Sequence, residues 1–151
     1  MKIMPTLFSV AAASLILVSA STAFASEDDI TYRKAVMKSV GGHMKAMSTI
    51  LKTDAGDMKD LPAHADAMAS LAKISAHIFP EGSGPMDGKT DAKMAIWEKP
   101  EEFKKVSMAF IAEADKLASV AASGDKGAIG AQLGALGKNA CKACHDDFKE
   151  K

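Results

Sequence analysis

A five-residue motif near the end of the chain carries the clearest chemistry in the sequence. It places Cys141 and Cys144 three positions apart, with His145 directly after the second thiol. On a helix, thiols at this spacing lie on one side of a turn, so both can form thioethers with the vinyl groups of one porphyrin. The imidazole that follows can bind the iron as an axial ligand. The motif therefore predicts one covalently attached haem c, which uses every cysteine in the chain.

Three other interpretations of the cysteine pair are weaker. A thioredoxin-like dithiol needs a βαβ context and a lowered thiol pKa, whereas this sequence shows no strand pattern. A structural zinc site needs four ligands, and the remaining histidines, His43, His64 and His77, do not fall at finger-like spacing. A disulfide across two intervening residues of a helix would be strained. We therefore expect those histidines to be surface or packing residues, without a partner for acid–base chemistry.

The N-terminal segment has the pattern of a secretory signal peptide. Lys2 supplies the positive charge, residues 7–18 form a short apolar run, and residues 23–25 fit the small-residue cleavage rule. The run is shorter than the roughly 20 apolar residues that cross a bilayer comfortably. We expect residues 1–25 to be removed on export to the periplasm, which leaves a mature domain of residues 26–151 with no membrane insertion. Covalent haem attachment in bacteria follows such export, so the two ends of the chain agree.

The composition favours a helical protein of one domain. The chain has 19 basic and 19 acidic residues, a formal net charge of +0 and an aromatic content of 5%. Such a balance provides no basic surplus for nucleic acid, and the length suffices for a single core. The sequence also lacks a Ser/His/Asp set, a carboxylate pair placed for acid–base work and a glycine loop for phosphate. We therefore expect no enzymatic activity.

Apolar residues recur at helical spacing in four segments. The predicted helices cover approximately residues 28–53, 60–78, 100–124 and 126–150. Their inward positions are Ile30, Met37, Val40, Met44, Met47, Leu51, Met68, Leu71, Ile74 or Ser75, Ile78, Phe103, Val106, Phe110, Leu117, Ala121, Ile129, Leu133, Leu136, Ala140 and Phe148. Asp60 is a candidate cap of the second helix, and Gly124 a candidate C′ residue of the third. Because most connections are short, the pattern predicts an all-α, antiparallel up-down-up-down four-helix bundle with covalently bound haem.

The chain resembles the cytochrome c′ family, whose members are four-helix bundles. The resemblance lies in the four helices, the exported precursor and the ending Cys-Lys-Ala-Cys-His-Asp-Asp-Phe-Lys, residues 141–149. Most other small c-type cytochromes carry the haem motif near the N-terminus instead. The resemblance covers essentially all of the mature chain and implies a periplasmic protein with a single haem c.

The resemblance also places Met37 on the distal side of the haem. In one branch of the family the residue here packs over an open iron, which is five-coordinate, high-spin and able to bind NO or CO. In the other branch a Met sulfur binds the iron, which is then six-coordinate, low-spin and suited to electron transfer. We favour ligation by His145 and Met37, hence a periplasmic electron carrier between redox partner proteins. The alternative is the five-coordinate gas-binding protein, and spacing alone does not separate the two.

Two more residues are assigned to the cofactor by the resemblance. Arg33 lies four residues before Met37, on the same helix face, and matches the family's Arg that pairs with a haem propionate. Trp97 resembles an aromatic position that packs near the haem. A solvated Arg and an ordinary core Trp are the alternatives. Relatives often pair through their first two helices, so a homodimer is compatible with this sequence.

Overall fold

The helical elements of the chain follow the predicted order. The computed structural model describes residues 27–151, and the predicted signal peptide, residues 1–25, lies outside the described residues. The α-helices are α1 (Glu27–Lys52), α2 (Leu61–Ser75), α3 (Ala95–Glu98), α4 (Pro100–Ala121), α5 (Lys126–Leu136) and α6 (Ala143–Phe148). A 3₁₀ turn, Met58–Asp60, precedes α2, and a π-helical turn, Gly137–Lys142, joins α5 directly to α6.

Helices α1, α2, α4 and the continuous α5–α6 segment form the four-helix bundle. Helix α2 packs against α1 and α4, α4 packs against α5, and α1 contacts α5 to close the ring. Within residues 27–151 the only β-type pairing is an isolated bridge between Ala92 and Lys149. The predicted all-α antiparallel bundle is confirmed. No helix in this part of the chain is long and apolar enough to cross a membrane.

The apolar core fills one end of the bundle, where α1 and α4 finish and α2 and α5 begin. Its fully buried side chains include Met47, Leu61, Met68, Leu117 and Leu136. Towards the opposite end, several predicted inward residues are only half-buried: Met37, Met44, Phe103, Val106 and Phe110. The bundle is therefore close-packed at one end and more open at the other, although the apolar pattern of the sequence is the same at both.

Local polar contacts set the helix ends. Gly124 has φ +70° and terminates α4 as predicted. Asp125 caps α5, because one carboxylate oxygen accepts the backbone N–H groups of Gly127 and Ala128. The expectation that Asp60 caps α2 was wrong: it holds the N-cap position, but its side chain makes no capping hydrogen bond. Helix α2 also ends at Ser75, three residues before the predicted end.

The π-turn in the last helix keeps one line of residues facing the bundle interior. These residues are Ile129, Leu133, Leu136, Ala140, Cys144 and Phe148. Their spacing is four, three, four, four and four, and each step of four overshoots the 3.6-residue period by about 40°. A regular α-helix would turn the last of them out of the interior. The wider π-turn absorbs this drift, so Cys144 and Phe148 still face inward.

The packed end should carry most of the fold's stability. Met47 is 0% exposed and Met86 is 86% exposed. We expect Met47→Ala to lower the free energy of unfolding of the haem-loaded protein by about 2–5 kcal/mol, through lost burial and an added cavity. The matched control Met86→Ala should stay within about 0.5 kcal/mol of wild type. Urea unfolding followed by circular dichroism measures both, and equal effects of the two substitutions would contradict this description of the core.

Candidate haem-binding site

Two adjoining cavities occupy the open end of the bundle. Their volumes are about 360 and 240 Å³, and the larger one lies within the usual range of cofactor sites. Five residues line both cavities, which therefore form one continuous recess: Met37, Phe79, Phe103, Cys144 and His145. The structure thus brings together Met37 from α1 and the haem motif from the end of the chain, which are more than 100 residues apart in sequence.

The thiols of the motif lie in an apolar setting. Cys141 and Cys144 both line the smaller cavity, and neither forms a disulfide. Burial raises the pKa of Cys141, and burial, with Cys141 and Asp147 nearby, raises the pKa of Cys144 to about 11. Redox-active dithiols need a lowered thiol pKa instead. The dithiol alternative is therefore disfavoured, whereas attachment to a porphyrin only requires that both thiols reach the same recess.

The two cavities differ in polarity. Four cationic side chains line the larger cavity, Arg33, Lys34, Lys38 and Lys149, against a single carboxylate, Asp91. The described residues that line the smaller cavity include no Lys, Arg, Asp or Glu. A haem has an apolar vinyl edge and an anionic propionate edge, so this division of charge suits its two halves. This division of charge and the position of the thiols and the imidazole together show that the recess fits the cofactor.

Arg33 is the best-connected polar residue of the recess. It is 3% exposed, and its Nη1 donates to Ile78 O (3.3 Å) and Ser83 Oγ (2.7 Å). Its Nη2 donates to Ser83 O (2.6 Å) and Thr90 Oγ1 (3.1 Å), and its guanidinium lies 4.9 Å from the ring centre of Phe79. Arg33 therefore ties the connection after α2 to α1 and forms part of the cavity wall. Its pairing with a propionate stays a prediction.

Trp97 lies behind the wall of the recess. It lines neither cavity, and its indole N–H donates to Pro80 O at 3.2 Å. It packs on a small apolar cluster that includes Ile96 and Phe148, both of which are buried. The contact of Trp97 with the haem stays a prediction that this arrangement supports only indirectly, through its neighbours.

A strap at the C-terminus crosses the connection before α3. Lys93 N donates to Phe148 O (3.0 Å), and Glu150 N donates to Asp91 O (2.8 Å). Lys149 and Asp91 also form an ion pair at 3.3 Å. The strap holds the segment that follows His145 against the larger cavity. Sequence periodicity did not predict this strap, because the strap depends on backbone pairing between two irregular segments.

A histidine pair, also missed from the sequence, joins α1 to α2 away from the recess. The Nδ1 atoms of His43 and His64 are 2.9 Å apart, so one ring donates and the other accepts. Each histidine therefore has a hydrogen-bonding partner that the sequence did not reveal, although the contact itself does not assign either of them an acid–base role. Neither residue lines either of the two cavities of the recess. Their contact contributes to packing of the first two helices, which agrees with the predicted packing role.

The fold and the recess define a c-type cytochrome of the four-helix-bundle class. The sequence profile of the family described as cytochrome c′ matches residues 28–149, which is most of the chain. The chain belongs to the cytochrome c′ family. It is therefore a monohaem c-type cytochrome with one covalently attached haem c, and it has two cysteines, Cys141 and Cys144, for the thioether linkages.

Individual relatives agree with this assignment. The chain is 44% identical over 120 residues to cytochrome c′ of Rhodospirillum rubrum, covering 80% of each chain. It is 38% identical over 121 residues to cytochrome c′ of Pararhodospirillum photometricum, covering 80% of this chain and 95% of the relative. The crystal structure of cytochrome c′ from Thermochromatium tepidum matches with a TM-score of 0.76 and 25% identity, covering 85% of this chain and 100% of that one. These similarities support cytochrome c′ in general and do not single out a low-spin branch.

The hydrogen bonds of Arg33 predict a local role that can be measured. We expect Arg33→Ala to lower the free energy of unfolding by about 2 kcal/mol or more, since the buried carbonyl of Ser83 loses a charged donor. Arg33→Lys should not restore stability, because one ammonium cannot replace the guanidinium fork. Lys45→Ala, at an exposed position farther along α1, is the control and should have little effect. Urea unfolding and hydrogen exchange of residues 78–90 test this, and unchanged exchange in Arg33→Ala would contradict it.

Proposed function

We propose that the haem iron is five-coordinate, with His145 as its protein ligand and Met37 packed over the other side. The protein would then bind NO or CO beneath Met37. The smaller cavity, to which Met37 contributes, carries this proposal through its apolar walls. Val40, Met44 and Phe110 are among the apolar residues that line it.

The hydroxyl groups of this cavity are already used within their own helices. Ser75 Oγ donates to Ala72 O (2.8 Å), and Ser107 Oγ donates to Phe103 O (2.9 Å). The described residues that line the cavity therefore offer no free hydroxyl donor to a bound gas. Hydrogen-bond donors and access in the distal pocket govern which gas a haem retains. An apolar distal side favours CO and NO, whereas bound O₂ is stabilised by a donor.

Relatives support the same proposal. In a solved structure, a ferrous variant of cytochrome c′ from Alcaligenes xylosoxidans holds bound NO. It matches this chain with a TM-score of 0.75 and 30% identity, covering 85% of this chain and 98% of that one. The two curated relatives described above, from Rhodospirillum rubrum and Pararhodospirillum photometricum, are likewise called cytochrome c′.

Met37 suits the role of a movable cover. Its side chain is half-buried and lines both cavities. An unbranched thioether has several rotatable bonds and adapts to irregular spaces, so it can exclude water from the distal side and still give way to a diatomic gas. Burial lowers the pKa of the His145 imidazole and favours its neutral, metal-binding form, which both candidate coordination states require.

The second candidate is the electron carrier with Met37 sulfur bound to the iron. One observation favours it: Met37 and His145 line the same two cavities, as opposed axial ligands must. One relative also has another name, cytochrome c-556 of Agrobacterium tumefaciens, which is 33% identical over 125 residues and covers 82% of this chain and 98% of its own. Such a carrier would meet redox partner proteins through a small, transient interface.

Visible spectra of the dithionite-reduced protein, before and after addition of CO, distinguish the two candidates. For a five-coordinate haem we expect broad high-spin bands that shift when CO is added. Met37→Ala should keep the spin state and accelerate CO binding by about tenfold, which corresponds to about 1.4 kcal/mol of steric barrier. The control Met108→Ala, at a position 55% exposed, should behave as wild type.

The opposite outcome has an equally clear signature. Sharp α and β bands that barely respond to CO, together with conversion to high spin in Met37→Ala, would establish Met37 as a ligand and electron transfer as the function.

Sedimentation during the same CO titration addresses the predicted homodimer. A structural relative is described as a cytochrome c′ with ligand-controlled dimer dissociation, and it matches with a TM-score of 0.76, 27% identity and coverage of 83% and 96%.

We also propose export to the periplasm with removal of residues 1–25. The apolar run and cleavage pattern of this segment support it, as does the need for haem attachment after translocation. Intact mass spectrometry of protein expressed with its own leader should give a chain that begins at Ser26 and carries one haem. Retention of Met1 on the haem-loaded protein would contradict the proposed cleavage.

A further inference from the structure

Glu113 of α4 binds the last helix with both oxygens of its carboxylate. Oε2 accepts a hydrogen bond from Gln132 Nε2 at 2.6 Å, and Oε1 accepts one from Asn139 Nδ2 at 3.1 Å. Gln132 Nε2 also lies 3.2 Å from the backbone oxygen of Glu113. Gln132 is only 6% exposed, which is unusual for a polar side chain. One side chain therefore holds two points on the helix that carries the haem motif.

These two points lie on either side of the junction between α5 and the π-turn. Gln132 belongs to α5, which ends at Leu136, whereas Asn139 lies within the π-turn that begins at Gly137. The Glu113 carboxylate thus bridges the place where the helix changes its hydrogen-bond pattern. Two residues beyond Asn139 is Cys141, the first attachment site for the haem.

The same junction is closely packed against α1. A Cβ atom added to Gly137 would lie 3.2 Å from Met44 Cε, a tight contact. Met44 itself lines the smaller cavity. A π-turn is less favourable than α-helix and is mostly found as a single turn near functional sites, so it persists only where surrounding contacts support it. Here those contacts come from Glu113 on one side and from Met44 on the other.

The direction of the haem motif depends on this turn. If the one-residue offset relaxed, everything after it would rotate by about 100°, which is the rotation of one residue in an α-helix. Cys144 and His145 would then no longer face the recess. We propose that Glu113 is a positioning residue for the haem: it holds Gln132 and Asn139 across the junction and so fixes the direction in which Cys141, Cys144 and His145 meet the cofactor.

This inference rests on haem attachment, and its vibrational readout also rests on the proposed five-coordinate iron. A wild-type protein without an iron–imidazole band would count against that coordination, and hydrogen exchange would then test the role of Glu113. It is tested in the haem-loaded protein with Glu113→Ala and Asn139→Ala. The control is Asp115→Ala, two residues along α4, whose carboxylate forms an exposed ion pair with Lys73 of α2 at 2.9 Å. Like Glu113→Ala, the Asp115→Ala substitution removes one negative charge from α4, but it leaves the contacts of the α5–α6 segment intact.

Two readouts separate positioning from general stability. Hydrogen exchange of residues 137–148 should accelerate by about tenfold in Glu113→Ala, as expected for a locally destabilised turn, and remain unchanged in Asp115→Ala. The iron–imidazole stretching band of the ferrous protein, measured by resonance Raman, should shift or broaden in Glu113→Ala, because His145 is held less firmly. Glu113→Gln, whose amide oxygen can still accept from one donor, should give an intermediate result in both measurements.

The double variant Glu113→Ala/Asn139→Ala should exchange no faster than Glu113→Ala, since the two residues act through one contact. If Glu113→Ala does not accumulate with haem, Asn139→Ala decides, because it keeps the Glu113–Gln132 bond and the charge. Wild-type exchange and an unaltered iron–imidazole band in these variants, or changes equal to those of Asp115→Ala, would overturn the proposal. A change in exchange alone, with the band unaltered, would also overturn it, because Glu113 would then only stabilise the helix.

Discussion

The four helices must separate at one end to admit a porphyrin that is attached to one of them, and the rest of the structure follows from this constraint. The apolar core is therefore concentrated at the other end, where Met47, Met68 and Leu117 are completely buried. Close packing there keeps the helices together without any contribution from the recess. The inward residues of the open end, among them Phe103 and Val106, stay half-buried because their partner surface belongs to the cofactor.

Polar contacts hold the walls of the recess where apolar packing cannot. The Arg33 guanidinium binds the carbonyl and hydroxyl of Ser83, far along the chain, and the strap between Asp91 and Glu150 fixes the segment after the haem motif. Glu113 fixes the segment before it. Each of these contacts is directional, so each specifies an orientation as well as a distance. The recess is thus bounded by elements whose positions are set by directional contacts in and around its wall.

The sequence was informative where a signal is local or periodic. The C-x-x-C-H spacing predicted the attachment site, and the 3.6-residue pattern predicted four helices. The contacts of Arg33 and of Asp91 could not be predicted in this way, because they join irregular segments whose path depends on the whole fold. The π-turn lies between these cases. The three successive steps of four from Leu136 to Phe148 are visible in the sequence, but they indicate a wider turn only once these residues are known to face one side.

The division of charge in the recess links the orientation of the cofactor to the chemistry at its iron. Lys34 and Lys38 lie at the larger cavity, so the anionic edge of a haem would be drawn to that side and its vinyl edge to Cys141 and Cys144. The apolar walls of the smaller cavity would then surround part of the porphyrin together with Met37. In such surroundings a neutral diatomic gas needs no polar partner, whereas water gains little by entering. Under the proposed five-coordinate state, Met37 would have only to move aside for the gas, and its flexible thioether would make that movement inexpensive in free energy.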